Sequence, residues 1–108
     1  MKISLLQNLI NFYEEDPTDP FNIYALALEY QKTDVGKAEL YFDKLLNEYP
    51  DYLATYYSAA SFFASLEKNE KVELIYQKGI DLALDKKNTK THQELIRAYR
   101  SFLDELED

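Results

Sequence analysis

One histidine, no cysteine, two glycines and a surplus of carboxylates bound the chemistry open to this chain of 108 residues. His92 has no second imidazole, no thiolate and no carboxylate cluster at ligand spacing, so it is not read as part of a zinc site. It falls on an apolar helical stripe and is read as a packed side chain rather than a general base. No serine is placed with a base for nucleophilic work. Gly36 and Gly79 are isolated, which leaves no phosphate-cradling loop. Glu14, Glu15 and Asp16, with Asp19, lack the alternating ligands and central glycine of a calcium loop and read as a solvated, helix-ending turn. These residues exclude the common catalytic and metal-binding constellations. No cofactor is expected, and the chain is read as a non-enzyme.

Asp and Glu number 20 against 12 Lys and Arg, a formal net charge of −8. An acidic surface repels polyanions, so neither nucleic acid nor an anionic membrane is an expected partner. Without cysteine there is no disulfide framework, as expected of a cytoplasmic chain. The apolar run Ile3-Ser4-Leu5-Leu6 breaks at Gln7-Asn8, too short for a signal-peptide core. No stretch approaches the ~20 apolar residues that span a membrane. The hydrophobic share of 46%, with 10 Tyr and 6 Phe, is that of a folded chain of one-domain length. So few Gly and Pro leave little turn chemistry for β-hairpins.

The apolar spacing instead predicts six helices, over 3–14, 20–32, 36–48, 52–66, 70–85 and 90–106. Asp19-Pro20 opens the second, Asp as N-cap and Pro in the first turn. Thr89 or Thr91 is the expected cap of the sixth, Thr91 matching a capping box with Glu94. Turns of about two to six residues are the lengths that join antiparallel neighbours.

Two stretches then repeat each other. One is Phe21-x₂-Tyr24-Ala25-x₂-Leu28, followed by Ala38-x₃-Phe42-x₂-Leu45 and Pro50. The other is Tyr56-x₂-Ala59-Ala60-x₂-Phe63, followed by Val72-x₃-Tyr76-x₂-Gly79, with Leu84 where the first has Pro50. The pattern resembles the tetratricopeptide repeat, W-x₂-L-G-x₂-Y then A-x₃-F and a closing Pro. Ala25 and Ala60 stand in its small slot, Phe42 and Tyr76 in its large aromatic one, and the first copy is one residue short between Tyr30 and Ala38. His92, Leu95, Ile96 and Tyr99 match the first half of a third copy. The resemblance implies an all-α, right-handed superhelix of antiparallel helix hairpins. It is expected to be a single domain: a half-repeat over 1–17, repeats over 18–50 and 51–85, and a capping helix over 89–107.

The resemblance also implies a function, a protein-interaction module or adaptor that holds a peptide or protein segment in a short concave groove. The family's groove positions fall two before the Trp slot and one, five and eight after it. They carry over to Asp19, Asn22, Leu26 and Glu29, to Ala54, Tyr57, Ser61 and Ala64, and to Lys90, Gln93, Arg97 and Arg100. The groove is thus expected to be acidic at one end and basic at the other, and to favour a segment with an acidic part through charge-assisted hydrogen bonds. The alternative for the arginines is a solvated face paired with Glu94 and Asp104. Tyr57 and Tyr30 are the tyrosines marked for recognition; the others read as helix packing. The rival function is weak homo-oligomerisation, with aromatics such as Phe62 or Tyr52 exposed for an interface.

Overall fold

The computed structural model describes residues 4–107, and among these it holds six helices: α1 (Leu5–Glu15), α2 (Pro20–Tyr30), α3 (Val35–Glu48), α4 (Ala54–Ser65), α5 (Asn69–Asp85) and α6 (Thr89–Glu107). They follow one another as antiparallel pairs. Ile3, expected at the start of the first helix, lies outside the described residues. The chain divides into two compact units between Thr55 and Tyr56, in the first turn of α4.

In the N-terminal unit each helix start has a local cause. The Ser4 hydroxyl accepts from the Gln7 amide and opens α1. The Asp19 carboxylate accepts from the Phe21 amide, with Pro20 in the first turn, as expected for α2. Asp34 does the same for α3 through the Lys37 amide. Such caps satisfy amides that have no carbonyl partner inside the helix and contribute about 1 kcal/mol each. The helices then meet through rings. Tyr41 of α3 stacks on Tyr30 of α2 at 5.8 Å and receives Tyr13 of α1 edge-on, also at 5.8 Å. Ile23, Leu26, Ala27 and Tyr30 of α2 and Ala38, Phe42 and Leu45 of α3 form the buried core.

This core corrects the first copy of the repeat. Its inward face is Ile23-x₂-Leu26-Ala27-x₂-Tyr30, two residues on from the expected one, and Phe21 is 59% exposed. A shift of two residues turns a helix by about 200°. Apolar residues surround α2, and both Ala25 and Ala27 offer a small side chain, so periodicity alone fits either register. Packing against Ala38 and Phe42 selects the second. Tyr30, marked for recognition, is buried in that stack, and Lys37 places its ammonium 5.2 Å from the ring centre.

In the C-terminal unit, Tyr56, Ala59, Ala60, Phe62 and Phe63 of α4 turn inward with Val72, Ile75, Tyr76, Gly79 and Ala83 of α5. Phe62 was expected to be free for an interface; it is buried, edge-on to Phe63 at 5.1 Å. Tyr52, the other interface candidate, is half-buried in the N-terminal unit, edge-on to Tyr24 at 5.9 Å. The decisive approach is at Gly79. A Cβ there would lie 2.6 Å from the Tyr56 Cβ, 2.9 Å from its Cγ and 3.2 Å from Leu95 Cδ1. Leu95 and Phe102 seat α6 on α5, with Tyr99 stacked on Tyr76 at 5.3 Å and its hydroxyl accepting from Gln77 Nε2.

Both turns of this unit close with a left-handed residue that is not glycine: Glu67 at φ 59° and Lys87 at φ 57°. Lys68 N donates to Phe63 O and Glu67 N to Ala64 O; Asn88 N donates to Ala83 O and Lys87 N to Leu84 O. Each is the paired-bond helix ending that glycine fits best. Asn88 then opens α6, its side-chain oxygen accepting from the Thr91 amide. The cap is therefore one residue before Thr89, and Thr91 donates its amide rather than capping with its hydroxyl.

Two stability predictions follow from these geometries. Gly79→Ala gains helix propensity of about 1 kcal/mol, yet the new methyl collides with the root of Tyr56. We expect a net loss of about 1–3 kcal/mol in urea unfolding; a stabilised variant would refute the close approach. Glu67→Gly and Lys87→Gly should each stabilise by about 0.5–1 kcal/mol in the same measurement, because the left-handed backbone no longer carries a Cβ.

Candidate functional site

The packing of α4 decides what it leaves outside. With Tyr56, Ala59, Ala60 and Phe63 inward, Tyr57, Ser61 and Ala64 recur at four and three residues on another side of the helix. On α6, Leu95 and Phe102 point to α5, which carries Glu94, Arg97, Ala98, Ser101 and Glu105 round to the side facing α4. Between the two helices lies a cleft of about 710 Å³, with Tyr76 and Phe102 contributing to its lining. Four of the residues singled out by spacing, Tyr57, Ser61, Ala64 and Arg97, meet in it. Tyr57 is 53% exposed, an aromatic ring held open to solvent in the cleft that Arg97 also lines.

The cleft carries both signs of charge, since Glu94 and Glu105 line it with Arg97. Burial pushes the Tyr76 phenol above its ordinary value, with Tyr57 and then Glu105 adding to the shift. Among the described residues neither Arg97 nor Arg100 joins an ion pair, including with Glu94 or Asp104. Gln93, Arg97 and Arg100 also border a smaller depression of about 390 Å³ with Ile96. Lys90 is exposed in the first turn of α6.

The expected positions in the N-terminal unit fall elsewhere. Leu26 is 1% exposed and belongs to the core, so it presents no surface to a ligand. The Asn22 amide donates to Phe12 O at 3.2 Å and Asp16 O at 3.1 Å, closing the end of α1. Glu29 pairs with Lys32 at 3.1 Å, and the Asp19 carboxylate caps α2, so the expected acidic end is made of groups with structural partners. Counted from Ile23, the same family offsets fall on Phe21, Tyr24, Leu28 and Gln31. The clue in the sequence was Tyr30, which matches the motif's tyrosine only when Ile23 takes the Trp slot.

Among the described residues no group of three or more His, Asp or Glu side chains is placed to hold a metal ion. No described helix is long and apolar enough to cross a membrane.

Comparison with known proteins adds one likeness. The chain is similar to the solution NMR structure of a tetratricopeptide repeat domain protein from Salinibacter ruber, at 34% identity and a TM-score of 0.75, over 81% of this chain and 89% of that one. No protein-family model matches the chain, and no curated protein matches it.

The shifted tyrosine makes the cleft measurable. Tyr76 has its folded pKa above the unfolded value of about 10. Its contribution is intact below pH ~10 and is lost as pH rises through the folded pKa, because the unfolded chain releases the proton first. Tyr41 and Tyr52 are raised in the same direction, chiefly by burial. We expect the melting temperature to fall above pH ~10 and the fall to be shallower in Tyr76→Phe; equal slopes would show that Tyr76 titrates alike in both states.

Proposed function

Because the chain belongs to the tetratricopeptide repeat family, whose domains are generally protein-interaction modules, we propose that it binds a short peptide or protein segment, and that the cleft between α4 and α6 is where the segment lies. The observation that carries this reading is the exposed Tyr57 ring in a cleft of about 710 Å³ that Arg97 also lines. That size falls in the range of ordinary ligand pockets, about 300–1,000 Å³. An apolar side chain of the segment packs on Tyr57, whose hydroxyl stays in water. An acidic side chain or terminal carboxylate takes charge-assisted hydrogen bonds from Arg97, with Arg100 and Lys90 extending the positive potential along α6. Gln93 and Ser61 supply further polar contacts beside them.

Glu94 and Glu105 add a constraint that the arginines alone do not impose. A segment that is acidic throughout meets repulsion at both, so selectivity falls on an acidic residue flanked by neutral or basic ones. The corrected positions Phe21, Tyr24, Leu28 and Gln31 of α2 are proposed as the family's equivalent surface in the N-terminal unit. There the basic-to-acidic gradient gives way to an aromatic and neutral face. The chain is thus read as an adaptor, and as a cytoplasmic one on its lack of cysteine.

A display selection of random peptides against the wild-type protein tests this directly. The enriched peptides should carry Asp or Glu beside an apolar residue. Arg97→Ala with Arg100→Ala should weaken their binding by about tenfold or more while leaving the helical circular dichroism unchanged. Affinity should also fall with added salt. Enriched peptides without acids, or an affinity indifferent to the double change, would overturn the basic-cleft reading.

A further inference from the structure

The turn between α3 and α4 gathers rings and carboxylates that the cleft does not use. Tyr49 ends α3, its amide donating to Leu45 O, and its own carbonyl accepts from the Tyr52 amide at 3.0 Å. Pro50 and Asp51 fill the middle of that turn, a pair suited to it by proline's fixed φ and aspartate's local hydrogen bonding. The turn brings Tyr49 and Tyr52 together at a pocket of about 330 Å³ that Pro20, Glu48, Pro50 and Asp51 also line. All six belong to the N-terminal unit. The volume is at the small end of ligand pockets, about 300–1,000 Å³, and suits a side chain rather than a helix.

Both charged residues that line the pocket are acids. Lys44 engages Glu48 from one turn back, its ammonium 3.1 Å from Oε2. Asp51 is exposed, and among the described residues its carboxylate takes part in no hydrogen bond or ion pair. α3 adds the negative end of its dipole, with no basic residue in its last turn to offset it. Pro20 brings up the positive end of α2, but there the Asp19 carboxylate caps the helix. The rings are open as well. Elsewhere Lys37 covers Tyr30 and Lys71 covers Phe63, yet among the described residues no Lys or Arg lies over Tyr49 or Tyr52. We propose that this pocket binds a cationic side chain of a partner segment, arginine being the best fit, between the rings of Tyr49 and Tyr52 with Asp51 as its counter-charge. A cation is attracted to the electron-rich face of an aromatic ring, and more strongly as water is excluded. A guanidinium is planar, so it stacks on a ring and still presents N–H groups to a carboxylate. An anion would meet two carboxylates, and a wholly apolar group would cover Asp51 without giving it a partner. The site shares no residue with the cleft between α4 and α6, and it takes the opposite charge.

Amide chemical shifts of the full chain, titrated with N-acetyl-arginine amide, test this. N-acetyl-citrulline amide serves as the probe of the same shape without the charge. The arginine probe should give saturable shifts at Tyr49, Asp51 and Tyr52, with a dissociation constant in the millimolar range expected of one side chain. The citrulline probe should leave these amides in place. Asp51→Asn and Tyr49→Leu should each weaken the arginine probe by about threefold or more, while Tyr49→Phe, which keeps the ring, should stay within about twofold of the wild type. None of these changes touches Tyr57, Ser61, Arg97 or Arg100, so the peptide cleft is tested apart from this pocket. Four results would overturn the proposal: no saturation by about 50 mM probe, equal shifts with citrulline, variants that bind as well as the wild type, or shifts at Asp104, Glu105 and Glu107 as large as those at Tyr49. The last would mean attraction to acidic surface in general.

Discussion

The contact between Gly79 and Tyr56 sets the geometry of the C-terminal unit. Glycine is a poor helix former, by about 1 kcal/mol against alanine, and it sits in the middle of a 17-residue helix. The reason is spatial: no Cβ fits between α5 and the root of the Tyr56 side chain. Close approach there lets Leu95 of α6 reach the same point. With Leu95 and Phe102 anchored, the rotation of α6 is decided, and Arg97 comes to the side facing Tyr57. A single missing methyl group thus links the packing of α4, α5 and α6 to the lining of the cleft.

Elsewhere, large rings take the place of close approach. Tyr13, Tyr41 and Tyr30 form a chain of contacts through α1, α3 and α2. Tyr76 does similar work between α5 and α6, touching both Tyr99 and Phe102. A phenol suits these half-wet seams, because its ring packs while its hydroxyl reaches an edge. Lys71 closes another such seam by covering the Phe63 ring, 4.1 Å from its centre, a cation over the negative face of an aromatic ring. Against this background Tyr57 stands apart, since it lies over a cleft rather than inside a helix seam.

Much of this was legible in the residues. The six helices have the expected order, with ends displaced by a residue or two, and the second repeat has its inward face where the spacing put it. The first repeat shows the limit. α2 is apolar on nearly every side, so its hydrophobic pattern contains two registers; only contact with α3 distinguishes Ala27 from Ala25. The same ambiguity carried the groove positions onto Leu26, a core residue, and onto Asn22, whose amide serves the carbonyls at the end of α1. Phe62 was misread for a related reason: it is adjacent to inward Phe63, and helical period alone turns it away from the core.

By itself the sequence determined the helical class, the repeat and the acidic balance. These are properties of composition and of spacing along one helix at a time. The tertiary structure decided which of two apolar faces α2 buries, which polar groups are occupied in closing helix ends, and that Tyr57, Ser61, Ala64 and Arg97 share one cleft. Those are relations between helices. They depend on side-chain volumes meeting across a gap, and the gap is set by neighbours that no single helix encodes.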